Sequence, residues 1–87
     1  MNPLQELAIA LIQNDVGDIT KKHHFVQVEF YDSYSHHHSY EISESDDCDG
    51  LYNIAEPFEN ESGDIDWIIV EGYTTLESTV SFINARS

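Results

Sequence analysis

The sequence predicts an α+β fold in a single compact domain over residues 1–87: an N-terminal helix, a three- to four-stranded antiparallel sheet and a short C-terminal helix. Three patterns carry this reading. Leu4, Leu7, Ala8, Leu11 and Ile12 recur at the spacing of one helix face, whereas from Phe25 onward apolar and polar residues alternate with a period of two. Asp66 to Tyr73 then holds the densest run of strand-forming apolar residues in the chain. With 87 residues there is room for one modest core, because so short a chain buries only about two-thirds of its unfolded surface.

Pro3 opens the first helix near its first turn, and the pattern ends around Asn14-Asp15, after which Gly17 punctuates a linker containing Lys21 and Lys22. Val26, Val28 and Phe30 alternate against Gln27, Glu29 and Tyr31, as a half-buried strand does, and Tyr40 and Ile42 resume the pattern after a Ser-His-rich break. The apolar positions are even-numbered. A hairpin that keeps them on one face pairs even with even, and centring it on His37 sets Tyr34 opposite Tyr40 and Val26 opposite Cys48. The odd positions, Gln27, Glu29, Tyr31, Ser33, Glu41, Ser43, Ser45, Asp47 and Asp49, then form the other face, expected to be solvent-exposed and acidic.

Leu51 to Phe58 fits either a helix, through Leu51, Ile54, Ala55 and Phe58, or a strand, through Tyr52, Ile54 and Phe58; Pro57 favours an edge strand. Asn60 to Asp64 has turn composition, and the run Asp66 to Tyr73, with Trp67, Ile68, Ile69 and Val70, is expected to be a central strand. Thr74 and Glu77 form a capping box ahead of Leu76, Val80 and Ile83, which gives the final helix.

Charge narrows the possible functions. Seventeen acids stand against three Lys or Arg, a formal net charge of -14. With 40% hydrophobic residues the chain is too apolar for the acidic composition of intrinsic disorder, so it is expected to fold despite its self-repulsion. Polyanions and anionic membrane surfaces are poor partners, since they require clustered Lys and Arg. Cys48 is the only cysteine, which excludes an intrachain disulfide framework, and neither a basic leader nor a membrane-length apolar run is evident; the expected compartment is the cytoplasm.

The side chains that invite catalytic or metal chemistry are arranged poorly for it. His23-His24 and His36-His37-His38 are separated by a strand spanning more than ~15 Å, and neighbouring side chains of an extended triplet diverge, so at most two can reach one ion at about 2 Å. Ser45 to Glu56 approaches a calcium-loop spacing at Asp47, Asp49, Gly50 and Glu56, but its first position is Ser45 and the preceding segment has strand periodicity. Cys48, expected to face the core, lacks the electropositive and accessible setting of a reactive thiol. No Gly-rich phosphate loop is present, and neither a cofactor nor catalysis is expected.

What remains is the charge. Between His23 and Ala85 there are 14 acids and no Lys or Arg, so those carboxylates have no Lys or Arg partner within that span. Acids on one side of a strand recur every ~6.6 Å, about two axial phosphate steps of a DNA strand. This points to a surface directed at a basic nucleic-acid-binding protein, carried by Glu29, Glu41, Glu44, Asp46, Asp47 and Asp49 with Tyr31 and Tyr52 as aromatic anchors. Small size, acidity and the helix-sheet-helix order resemble phage-encoded inhibitors of host defence proteins, among them anti-CRISPR proteins and uracil-DNA glycosylase inhibitors. Tyr40-Glu-Ile-Ser-Glu-Ser-Asp-Asp47 is similar to a strand and acidic turn of a Cas9-directed anti-CRISPR protein. The resemblance implies a non-enzymatic DNA mimic acting on a CRISPR effector or nuclease; an immunity protein or antitoxin neutralising a basic toxin nuclease is the alternative.

Overall fold

The computed structural model describes residues 2–87 and has the expected α+β order with one strand more: α1 (Pro3–Gln13), β1 (Asp18–Lys21), β2 (Phe25–Tyr31), β3 (His37–Glu44), β4 (Tyr52–Glu59), β5 (Ile65–Thr74) and α2 (Leu76–Asn84). The strands form one antiparallel sheet in chain order, β1-β2-β3-β4-β5.

Asn2 caps α1 by accepting a hydrogen bond from Gln5 N–H at 2.8 Å, and Pro3 sits in the first turn where its missing N–H costs nothing. Leu4, Leu7, Ala8 and Leu11 are buried, whereas Ile12, on the edge of the same stripe, is exposed. The helix stops at Asn14, and Asp15 and Gly17 take positive φ to turn the chain into β1. Val16 enters the core between them. β1 was expected to be linker; its register, Ile19 opposite Val28 and Lys21 opposite Val26, makes it the edge strand beside β2. With a single apolar residue in four, such a strand leaves almost no periodicity to read.

The even positions Val26, Val28, Phe30, Tyr40, Ile42, Tyr52 and Ile54 form the inner face of the sheet, and α1, α2 and Val16 cover it with Leu7, Leu11 and Ile83 at the centre. The parity of the β2-β3 hairpin is therefore as expected, but its centre is Tyr34, not His37. Val26 pairs with Ile42, Val28 with Tyr40 and Tyr31 with His37. Asp32 fixes the turn: its Oδ1 accepts from Tyr34 N–H and His36 N–H, its own N–H donates to His36 O, and Ser35 adopts φ 65°. Cys48 in consequence lies exposed in the β3-β4 turn and does not face Val26.

Residues 52–59 are a strand, with Tyr52 and Ile54 inward. The expectation for the next strand fails. Because every strand hairpins onto its predecessor, β5 comes last and takes the edge of the sheet. The helices pack mainly over β1 to β4 and reach β5 only near its C-terminal end, where Thr74 Oγ1 and Thr79 Oγ1 lie 2.6 Å apart. The cap of α2 is Thr75, whose Oγ1 accepts from Ser78 N–H; Thr74 instead donates to Tyr52 O. The expected capping box of Thr74 and Glu77 does not form: Thr74 is still in the strand, the N-cap falls one residue later, and its third following residue is Ser78 instead of Glu77.

Candidate partner-binding surface

The meander dictates where the carboxylates go. Many of them gather at the two ends of the sheet, in the turns and on the strand residues that flank them. At one end lie Glu44 and the β3-β4 turn with Asp46, Asp47 and Asp49; at the other lie Asp32, the β4-β5 turn with Glu61 and Asp64, and the flanking strand residues Glu59 and Asp66. The outward face of the sheet carries Asp18, Glu29 and Glu41 among neutral residues, while Asp47 and Asp49, expected on it, lie in the β3-β4 turn. A row running across all five strands reads Thr20, Gln27, Glu41, Ala55 and Ile69, grading from polar to apolar.

The expected site residues fall into separate groups. Glu29 is half-buried on β2, opposite Asp18, and accepts a hydrogen bond from Gln27 Nε2 at 3.0 Å. Glu41, mid-strand on β3, is half-buried, and that desolvation pushes its carboxyl above the usual Glu value. Tyr31 ends β2 exposed, its ring 5.2 Å from that of His37. Glu44 closes β3 opposite Tyr52. Asp46, Asp47 and Asp49 are exposed in the turn, clustered by local chain and not by sheet alternation; Asp47 and Asp49 thus leave the face assigned to them because β3 ends at Glu44. Asp47 Oδ2 accepts from Tyr73 O–H at 3.1 Å, which ties the acidic turn to β5.

Tyr52 is removed from the set. It is 1% exposed, its hydroxyl donates to Pro3 O at 2.7 Å, and burial raises its pKa above the ordinary tyrosine value. Its even number places it on the inner face with Ile54, so it anchors α1 to the sheet and cannot anchor a partner.

The histidines divide as well. His36 lies in the turn, whereas His37 and His38 are the first residues of β3. His38 stacks on Phe30 with ring centroids 5.1 Å apart and its Nε2 lies 2.8 Å from Asp32 Oδ2. That bond, the His36 and Tyr34 N–H groups donating to Oδ1, and the nearby His36 ring hold the Asp32 carboxyl at a pKa of about 2. Among the described residues, these two histidines provide the only contacts of a basic side chain with a carboxylate, and no three metal-ligating side chains converge. Arg86 stands over the Phe82 ring and donates to Phe82 O instead of meeting a carboxylate.

Two features escape the sequence patterns. One is the second acidic end, from Glu59 to Asp66. The other is apolar: Phe58, Ile65, Trp67, Ile68, Ile69 and Tyr73 are all exposed on β4 and β5. The signal for the second was available in the short hairpin connections, which force a meander and put the final strand at an edge. Compared with protein-family models, with curated proteins and with solved structures, the chain matches none.

Proposed function

We propose that the protein is a non-enzymatic inhibitor that docks on the basic nucleic-acid-binding site of a target protein, using carboxylates in place of phosphates. The observation that carries this reading is the unpaired charge: among the described residues no carboxylate is within salt-bridge distance of Lys or Arg, against a net charge of -14. Charge left unpaired at this density destabilises the compact state, and a cationic partner is what would offset it. The cluster Asp46, Asp47 and Asp49 supports the reading further, since these short, exposed side chains share one turn that the Tyr73 hydroxyl ties to β5 through Asp47. Glu29, Glu41 and Glu44 lend weaker support because all three are partly withdrawn from water.

The test is capture from a bacterial lysate at low salt, comparing the wild-type protein with the D46N/D47N/D49N variant. The reading expects the wild-type protein to retain nucleic-acid-binding proteins that added duplex DNA displaces, and the variant, equally folded, to lose them. Retention indifferent to DNA, to salt and to the three substitutions refutes it.

A further inference from the structure

We propose that the Asp49-Gly50 bond is a site of spontaneous covalent modification, at which Asp49 closes on the Gly50 nitrogen and reopens as isoaspartate while the protein stays folded. The ring that leads there joins Asp49 Cα, Cβ, Cγ and carbonyl carbon to the Gly50 nitrogen. It therefore needs Asp or Asn followed by a residue that leaves its nitrogen open to attack. Of the four glycines only Gly50 has such a predecessor: Gly17 follows Val16, Gly63 follows Ser62, and Gly72 follows Glu71, whose longer side chain would have to close a larger ring. Every other Asp and Asn precedes a residue whose Cβ crowds the nitrogen.

The fold leaves this one bond free to react. Asp49 and Gly50 are exposed in the β3-β4 turn. Ring closure requires rotation about the Asp49 Cα–C bond, which swings Gly50. Gly50 sits at φ 79° with nothing beyond its chain neighbours within 4 Å of where a Cβ would stand, so it has room to move. Among the described residues its N–H donates to no backbone acceptor. The bond that closes the turn, Leu51 N–H to Cys48 O, is long at 3.4 Å, whereas the next one out, Ser45 N–H to Leu51 O, is 2.8 Å. The turn can thus open at Asp49 and Gly50 while β3 and β4 stay paired, a local opening that draws little on global stability.

In the first step the Gly50 nitrogen attacks Cγ of the protonated Asp49 carboxyl. The N–C bond forms, the bond from Cγ to the hydroxyl breaks, and the amide proton leaves with that hydroxyl as water. Water then adds to one of the two ring carbonyls. Opening at Cγ restores aspartate; opening at the Asp49 carbonyl carbon leaves the chain running through the side chain, with the former backbone carbonyl as the free carboxylate. Mass and charge are unchanged, but the backbone gains a methylene between Cys48 and Leu51, inside the turn.

The proposal stands independently of the inhibitor reading. It is tested by holding the full chain at physiological temperature and pH, folded or unfolded in guanidinium chloride. Isoaspartate is counted by methylation with an isoaspartyl methyltransferase and located by fragmentation of the digested protein. It should appear at residue 49, in the folded protein at a rate within about tenfold of the unfolded one, because the opening costs little. Asp49→Glu, which keeps the charge, should abolish it. Asp49→Asn closes the same ring with loss of ammonia and is not held back by ionisation of a carboxyl, so it should react about tenfold faster or more and gain the mass that separates acid from amide. Folded protein that reacts more than about tenfold slower than unfolded protein, isoaspartate that appears first at another residue, or isoaspartate that persists in Asp49→Glu overturns the proposal.

Discussion

Gly17 is where the covering segment and the added strand depend on one backbone conformation, and Gly17→Ala tests both. Its φ of 124° lies in a region essentially restricted to glycine, where an L-residue costs about 1–3 kcal/mol. A Cβ built there would stand 2.6 Å from Glu29 O and 2.7 Å from Phe30 Cβ, on a strand that cannot retreat because its other side is paired with β3. Overpacking of this kind adds about 1–3 kcal/mol, so the combined loss is expected to be about 3 kcal/mol or more. A domain of this size holds roughly 4–13 kcal/mol in total and loses about 4–8 °C of Tm per kcal/mol, which places the expected fall in Tm at about 12 °C or beyond. Chemical denaturation and thermal melting monitored by circular dichroism give both numbers. Amide exchange should show the loss concentrated in β1 and at Val16. A variant melting within about 2 °C of the wild-type protein would refute the close packing of Gly17 on β2 and the β1 edge with it.

Tyr52→Phe removes the donor to Pro3 O while keeping the ring, and should cost about 1 kcal/mol, read as a lower denaturation midpoint with an unchanged slope. Thr75→Ala removes the α2 cap and should cost about 1 kcal/mol by the same measurement. Asp32 titrates low in the folded state, so it stabilises above its unfolded pKa of ~3.9, and that contribution disappears as pH falls through about 2. Asp32→Asn should therefore melt lower than the wild-type protein at pH 6, with the gap closing across that window. Glu41 has the opposite sign: its raised pKa means that the charged form is penalised on folding, a penalty present at neutral pH and relieved as pH falls below the folded pKa. Glu41→Gln should accordingly raise Tm at pH 7 and change it less at pH 4.

The inner face of the fold was legible because burial and period coincide there. α1 needed only Leu4, Leu7, Ala8 and Leu11, and the parity of β2 and β3 needed only that Val26, Val28, Tyr40 and Ile42 share a side. Parity leaves the turn undetermined, since a hairpin centred on Tyr34 and one centred on His37 both pair even with even. The choice lies in Asp32, whose carboxylate organises the next four residues through bonds that hydrophobic pattern cannot register. That one error displaced Cys48, Asp47 and Asp49 from a turn onto a strand. Tyr52 fails as an anchor for a different reason: an aromatic ring suits a partner contact and a core position alike, and only the pairing of β4 with β3, which turns Tyr52 and Ile54 inward, decides between them.

The apolar run at β5 shows why hydrophobicity along a strand does not by itself locate the strand in the sheet. A strand buried on both faces and a strand exposed on both faces show the same uninterrupted pattern, because in each case the two faces are alike. Connectivity separates them. Three-stranded or larger meanders close each strand against its predecessor, so the last strand is inward only if a later element covers it, and α2 turns back over β4 at Thr74 before it can. The chain therefore exposes its most apolar segment alongside unpaired carboxylates, and these have opposing effects on association. A net charge of -14 keeps two copies apart at low ionic strength and would attract a cationic partner, and added salt weakens both effects. Ionic strength should thus weaken binding to a basic protein, read as a Kd that rises with added salt, and a Kd indifferent to salt would refute the proposed role of the carboxylates.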